Sequence, residues 1–306
     1  MSNKVTYIIV TWNNENEISD CLESIIKYTT VGYEIIVLDN NSTDSTVELI
    51  HQRFPTVKLL NKGKNYGFAK GNNLALQEVI TDFVCFINPD TILLEDIVTP
   101  SISLLNMNDK VGLVGSKLVN YDMSDQASCF NFAGEWSLPF EILHMGKLMP
   151  KNLKKKYFVN YSKLKNETSV PWIIGAEMIM RTSDARYIGG FSTEYFMYTE
   201  DMDLCMKVHS ILKKDVVYLP EQKLIHLGGA SEKQNVNYNK QKKLFENDIL
   251  FVSKFYGKDA ANRMLKNMKI AYKIRLAIIV ILYHKKNRQM VLAKTKSSLN
   301  ILEELN

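Results

Sequence analysis

An unbroken apolar run, Phe83-Val84-Cys85-Phe86-Ile87, ends abruptly in Asn88-Pro89-Asp90. A run of this length suits a strand buried on both faces of a parallel sheet. Pro89 has no N–H to donate to a ladder, so the strand stops there. Asp90 therefore falls at a strand C-terminus, the edge where open α/β sheets place their ligands. A carboxylate at that edge suits a divalent cation facing phosphate oxygens. Taken alone, Asn-Pro-Asp reads equally well as a plain turn.

The flanking chain supplies the rest of such a sheet. Val5 to Trp12 is rich in β-branched and aromatic residues and reads as a first strand. Asn14, with Glu17 three residues on, is placed to cap a helix whose stripe is Ile18, Cys21, Leu22, Ile25 and Ile26. Glu34 to Leu38 forms a second strand closed by Asp39. Ser45 and Glu48 then have the spacing of a capping box. Two successive βα units predict a parallel, right-handed layer. Further strands are expected at Val57–Leu60, Val111–Gly115 and Val216–Leu219, and helices at Asn73–Ile80, Glu95–Asn106 and Asp203–Leu212. From about Asn120 to Val170 the periodicity weakens into a long, lysine-bearing segment, and such segments are often functional. After about Tyr238 the pattern is helical.

Composition bounds the class. At 306 residues the chain is long enough for one large domain or two small ones. Its four cysteines, Cys21, Cys85, Cys129 and Cys205, have neither metal-ligand nor CxxC spacing, which reads as reduced thiols in a cytoplasmic setting. No signal-peptide pattern precedes the first strand, and Leu276 to Tyr283 is too short to span a bilayer. The net charge of +5 is uneven. Lys147, Lys151, Lys154, Lys155, Lys156, Lys163 and Lys165 crowd one stretch without an acid. From Lys254 onward twelve basic residues face three acids. Such patches attract nucleic acid, anionic lipid or phosphorylated substrates, or are simply solvated faces.

Several residues have the chemistry of a site. Asp39 can accept the N3–H of a pyrimidine; in isolation it serves equally as a helix cap. Asp90 can hold a cation. Thr199-Glu200-Asp201 offers carboxylates for general-base work, although Asp201 also suits a cap. His226 is a candidate metal ligand beside carboxylate, or a hydrogen-bonded core histidine. There is no GxGxxG after a strand, no GxxxxGK[ST] and no Gly-x-Ser-x-Gly, which argues against a Rossmann dehydrogenase, a P-loop NTPase and an α/β-hydrolase.

The order of motifs over residues 5 to 230 resembles the family 2 glycosyltransferases, which have the GT-A fold, and within them the rhamnosyltransferase-like branch. The matching stretches are Val10-Thr11-Trp12-Asn13, Leu38 to Asp44, Asn65 to Asn73, Asn88-Pro89-Asp90, Trp172 to Ala176, Thr199 to Asp203, and His226. The resemblance implies an α/β fold with a mixed sheet flanked by helices. Its catalytic domain would span 1–235, with a nucleotide-sugar half at 1–118 and an acceptor half at 119–235. A basic helical extension would occupy 236–306. Thr11 and Asp39 would line the nucleobase pocket. Asn65, Gly67, Phe68, Asn73 and Asn88 would shape the donor sugar and phosphate site. Asp90 and His226 would hold Mg²⁺ or Mn²⁺. Trp172, Gly175 and Glu200 would border the acceptor, and Asp201 would be the base. Asn-Pro-Asp replaces the broader family's Asp-x-Asp, so one carboxylate carries the metal charge. The Gln-x-x-Arg-Trp motif of processive synthases is absent, which implies single additions.

The implied activity is inverting transfer of L-rhamnose from dTDP-rhamnose, with UDP-galactose, UDP-glucose or UDP-N-acetylglucosamine as alternative donors. The implied acceptor is a glycan, carried on a polyprenyl diphosphate, in bacterial surface polysaccharide synthesis. A non-catalytic sugar- or lipid-binding relative is the alternative of another class. A nucleotidyltransferase would need a glycine- and basic-rich N-terminal loop, which Val10 to Asn16 lacks. In the tail, Met264, Met268, Ala271, Ile274 and Ile278 alternate with lysines at near-helical spacing. A basic amphipathic helix of this kind can lie peripherally on the inner face of an anionic membrane, pack back on the domain, or form a homodimer contact.

Overall fold

The computed structural model describes residues 3–150, 153–154, 157–158, 164–195, 197–228, 238–282 and 287–305. Lys151, Lys155, Lys156 and Lys163, and the tail segment Tyr283 to Lys286, lie outside the described residues. The chain forms two compact units: Met1–Phe130 with Asn160–Lys233, and Asn131–Val159 with Gln234–Asn306.

In the first unit the strands are β1 (Val5–Thr11), β2 (Tyr33–Asp39), β3 (Lys58–Asn61), β4 (Phe83–Ile87), β5 (Thr91–Leu93), β6 (Val111–Val119), β7 (Cys129–Phe130), β8 (Thr168–Val170), β9 (Trp172–Ile173), β10 (Glu177–Arg181) and β11 (Asp215–His226). Among the described residues nine of them make one sheet in the order β3-β2-β1-β4-β10-β6-β11-β5, with β8 on β11. β1, β2, β3 and β4 run parallel, while β10 is antiparallel to β4 and β6. Every residue of β1 and β4 is buried, as strands covered on both faces require. The unit's helices are α1 (Ile18–Tyr28), α2 (Thr46–Arg53), α3 (Phe68–Leu76) and α4 (Val98–Met107), followed by α6 (Thr182–Tyr187) and α7 (Glu200–Lys207); α5 (Ser137–Ile142) belongs to the second unit. The α1 stripe buries Ile18, Cys21, Leu22 and Ile25, whereas Ile26, at its edge, is exposed. All four cysteines are buried free thiols.

Local details differ from the sequence expectations for identifiable reasons. The Ser45–Glu48 capping box does not form. Asp44 instead accepts the Thr46 N–H, and Glu48 accepts from Gln52. Asn14 is not the cap of α1; its side chain holds the turn after β1 by accepting from Thr11 and Trp12. Helix α3 begins at Phe68, not Asn73. Gly67 takes a φ of +76° at its start, and a Cβ on Gly71 would lie 3.0 Å from Val10 Cγ1, so both glycines serve helix entry and close packing. Likewise α7 begins at Glu200, not Asp203. β5, directly after Asp90, was not foreseen. β11 runs on through Pro220 because its ladder to β6 shifts register between Leu219 and Lys223.

The second unit contains α8 (Tyr238–Tyr256), α9 (Lys258–Leu282) and α10 (Arg288–Glu304). Residues 131–159 join these helices, so the chain does not divide once near residue 235. The cause is polar as well as apolar: Arg263 pairs with Glu135, Asn267 donates to the Glu135 carbonyl, and Arg275 donates to the Ile142 carbonyl. Among the described residues no helix is long and apolar enough to cross a membrane.

Asn73 ties α3 to the turn after α6. Its Oδ1 accepts the Phe191 N–H at 2.8 Å and its Nδ2 donates to the Phe191 carbonyl at 2.7 Å. Gly190, at φ +62°, lies against this clamp, and a Cβ there would stand 2.2 Å from Asn73 Oδ1. Gly190→Ala should lower stability by about 2–4 kcal/mol, combining a left-handed alanine with the broken clamp. Urea unfolding reads the change, and an unmoved midpoint would contradict it.

Candidate active site

Strands β1, β2 and β4 end at one edge of the sheet. Thr11 and Asp39 are register partners there, and both are fully buried. Thr11 donates to Asn14 Oδ1 at 3.1 Å. The Asp39 carboxylate accepts the Ser42 N–H at 3.1 Å and the Ser42 hydroxyl, so it shapes the turn after β2 rather than capping α2. The loop before α3 is set by two asparagines. Asn65 Oδ1 accepts the Gly67 N–H at 2.8 Å. Asn40 accepts the Tyr66 N–H at 3.0 Å and donates to the Gly67 carbonyl at 3.2 Å. Asn40 was not singled out from sequence, although its place after Asp39 was the available signal. Lys64 and Lys70 stand over the Tyr66 ring, bringing positive charge to this loop. Two expected donor residues are used inside the fold: Asn73 holds Phe191, and the Phe68 ring packs edge-on to Phe191, with centroids 5.5 Å apart.

Asp90 and His226 are brought together by strand pairing. β11 runs antiparallel to β5 with His226 opposite Thr91, and the Leu227 N–H donates to the Asp90 carbonyl at 2.9 Å. His226 Nε2 then lies 3.5 Å from Asp90 Oδ1. Burial lowers the His226 pKa, and the opposing pull of the Asp90 charge is the smaller effect, so the imidazole is neutral at pH 7. Neutral imidazole nitrogen beside carboxylate oxygen is a donor set that fits Mn²⁺- or Mg²⁺-like cations. Asn88 Oδ1, two residues before Asp90, is buried without a hydrogen-bond partner and is a further oxygen in this turn. Among the described residues no group of three or more His, Cys, Asp or Glu gathers. Asp90 and His226 are thus two candidate ligands among the described residues, and Mg²⁺-type sites commonly take their other positions from phosphate and water.

The second cluster is built on α7. Asp201 Oδ2 accepts the Gly175 N–H at 3.0 Å, and Oδ1 accepts the Met202 N–H at 2.8 Å. Trp172, three residues before Gly175, stacks on Phe130 with centroids 5.1 Å apart. Glu200 Oε2 is buried without a partner. Burial first, and the Asp201 charge second, push the Glu200 carboxyl up to about 8. Burial also raises Asp201, against the pull of its two backbone N–H bonds. Since only Asp201 has those donors, the charge of the pair rests on Asp201 and the proton on Glu200. Tyr198 and Thr199 enter α7 with φ of +71° and +75°, a left-handed backbone that non-glycine residues adopt at a cost and that gathers at functional sites. Sequence reasoning also passed over Glu177, whose carboxyl accepts the Ser116 N–H and is pushed by burial to about 7. Its signal was a lone acid inside an apolar strand.

Residues 6–157 match the model of Glycosyl transferase family 2. The chain is a GT-A enzyme of that family, a glycosyltransferase. It is 25% identical over 239 residues to the N-acetylglucosaminyl-diphospho-decaprenol L-rhamnosyltransferase of Mycobacterium tuberculosis, covering 74% of this chain and 76% of that protein. It is 28% identical over 233 residues to the rhamnosyltransferase WbbL of Escherichia coli K12, covering 72% and 83%. In fold it is similar to the mannosyltransferase PcManGT of Pyrobaculum calidifontis in complex with GDP-Man and Mn²⁺, with a TM-score of 0.58 and 15% identity over 98% of this chain and 84% of that one. GalNAc-T7 with UDP, GalNAc and Mn²⁺ aligns at a TM-score of 0.62 and 13% identity, over 98% of this chain and 56% of that one.

The Glu200 proton has a measurable consequence. The unfolded chain loses it near 4.5, whereas the folded protein holds it to about 8. Unfolding therefore releases a proton between these values, and this group's stability contribution falls as pH rises across the window. Glu200→Gln, neutral throughout, should flatten the decline in urea midpoint from about pH 5 to about pH 8. Equal slopes for both proteins would contradict a protonated Glu200.

Proposed function

We propose that this glycosyltransferase inverts the anomeric centre as it moves L-rhamnose from dTDP-rhamnose to a glycan hydroxyl. The acceptor glycan is carried on a polyprenyl diphosphate, in bacterial surface polysaccharide synthesis. The observation that carries the chemistry is Asp201, a buried carboxylate held by two backbone N–H groups, with a pKa raised above the ordinary aspartate range. That the M. tuberculosis and E. coli relatives are rhamnosyltransferases supports rhamnose as the donor sugar, and the decaprenol-linked acceptor of the first supports a lipid-linked acceptor.

Asp201 takes the proton of the acceptor hydroxyl as its oxygen attacks the anomeric carbon. A new C–O bond forms there, and the bond to the diphosphate breaks on the opposite face, leaving its electron pair on the nucleotide. One displacement inverts the centre without an enzyme nucleophile. Thr11 and Asp39 bind the thymine, and the Asn65–Gly67 loop with Lys64 and Lys70 lies along the sugar and phosphates. Trp172, Gly175 and neutral Glu200 border the acceptor. Asp90 and His226 would hold Mg²⁺ or Mn²⁺, which would supply Lewis-acid stabilisation of charge on the departing diphosphate.

Asp201→Asn should reduce kcat by about 10²–10⁴-fold in an assay with dTDP-rhamnose and polyprenyl-diphosphate-linked N-acetylglucosamine, while dTDP binding persists. Retained turnover would reject Asp201 as the base.

A peripheral place on the inner membrane face is supported by α9. Met264, Met268 and Ala271 are buried, while Ile270, Ile274, Ile278 and Ile281 form an exposed stripe near Lys266, Lys269 and Lys273. An apolar stripe edged by lysine suits an anionic lipid surface. Anionic phosphatidylglycerol vesicles should sediment the wild type, and Ile274→Asp with Ile278→Asp should remain in the supernatant. Equal sedimentation of both, or a change only in oligomeric state, would reject the membrane face.

A further inference from the structure

We infer that Gln126 is a positioning residue of the metal centre. It fixes the proton of His226 on Nδ1 and so keeps the Nε2 lone pair free for a cation beside Asp90. The inference rests on Asp90 and His226 being the metal ligands.

The orientation of Gln126 follows from acceptors that have no alternative. Its amide lies 3.0 Å from the His226 main-chain carbonyl, which can only accept. The atom facing that carbonyl is therefore the NH₂ group. The same nitrogen lies 3.0 Å from Asn120 Oδ1. A second line of bonds agrees. Asp122 is an ionised carboxylate, its pKa lowered chiefly by the Ser124 hydroxyl, and it can only accept. Ser124 Oγ donates to Asp122 Oδ1 at 2.5 Å and accepts from Asn120 Nδ2 at 2.9 Å. Asn120 thus turns its Oδ1 to Gln126, which must answer with N–H.

With both N–H bonds of Gln126 committed, its Oε1 is the atom 2.7 Å from His226 Nδ1. An amide oxygen can only accept, so Nδ1 carries the proton. In a neutral ring that leaves Nε2 as a lone pair. Nε2 faces Asp90 Oδ1 across 3.5 Å, longer than the 2.7–2.9 Å usual for a charge-assisted N–H···O bond. Two electron-rich atoms facing each other repel until a cation lies against both. The other tautomer, which a free histidine side chain favours in water, would point an N–H at Asp90 and occupy both would-be ligand atoms with one hydrogen bond. Gln126 removes that competitor. Outer partners of this kind commonly change metal affinity by 10–100-fold.

The test uses full-length protein with ¹⁵N-labelled histidine, metal-free, at a pH where the ring is neutral. Comparison with His226→Gln assigns the His226 nitrogens. The wild type should show a pyrrole-type Nδ1 and a pyridine-type Nε2. Gln126→Leu should move the proton towards Nε2 and weaken Mn²⁺ binding, read by electron paramagnetic resonance of free Mn²⁺, by about 10–100-fold. Gln126→Glu, which still presents an acceptor, should keep the proton on Nδ1. A proton on Nε2 in the wild type overturns the inference whether or not the variants fold. So does a folded Gln126→Leu with unchanged tautomer and unchanged Mn²⁺ affinity. A wild type with Nδ1 protonated that binds no Mn²⁺ overturns the metal centre itself, and with it the role of Gln126 there.

Discussion

The pairing of β11 with β5 is the constraint on which the juxtaposition of Asp90 and His226 depends. His226 lies more than a hundred residues from Asp90 in sequence, yet the antiparallel register that sets His226 opposite Thr91 puts the two side chains 3.5 Å apart. Pro89 ends β4, so the chain must turn at Asp90 before β5 begins. The turn is then closed from the other strand by the Leu227 N–H on the Asp90 carbonyl. A carboxylate–imidazole pair is created where neither strand alone could place one. The loop that carries Gln126 adds direction to the pair, because its backbone returns to β6 through the Leu118 carbonyl and its side chain reaches His226.

At the start of α7, the backbone gives two adjacent carboxylates different environments. Glu200 and Asp201 are neighbours in the first turn of α7, and both lose water. Asp201 is met by the N–H groups of Gly175 and Met202, while Glu200 Oε2 is met by none. Identical functional groups therefore hold different protonation states at one pH, the arrangement that the proposed base Asp201 and a neutral Glu200 require. Gly175 is needed for this approach, since a Cβ there would lie 3.1 Å from Asp201 Cβ. The left-handed Tyr198 and Thr199 set the entry angle of the helix that carries both acids.

Much of the frame was legible in the chain. Strands buried on both faces announce themselves as apolar runs, and β1, β2 and β4 lie within a residue or two of where those runs end. Asp39 and Asp90 at strand ends follow from the same logic. What was not legible depended on tertiary pairing. β5 is three residues long and gains its identity only from β11. Gly67 and Gly71 read as loop residues but sit at the start and inside of α3, because close packing on Val10 overrides helix propensity. Asn73 looked like a ligand residue and is occupied by the Phe191 backbone. Residues 131–159 carry little periodicity of their own and join the C-terminal helices through long-range arginine bonds. Gln126 has no local signature at all, and its role emerges from the acceptors around it.

The central claim is that the end of β4 and the end of β11 form one metal-assisted nucleotide-diphosphate site. Thermal unfolding of the wild type and of Asp90→Asn, with dTDP, UDP or GDP and with or without Mn²⁺, tests it most directly. A ligand at about a hundred times its dissociation constant stabilises a protein by roughly 2.7 kcal/mol. The account predicts a clear rise in melting temperature with dTDP and Mn²⁺ together, a smaller rise without Mn²⁺, and loss of the metal-dependent part in Asp90→Asn. No response to any pyrimidine diphosphate, or a response that Mn²⁺ and Asp90→Asn leave unchanged, would contradict it.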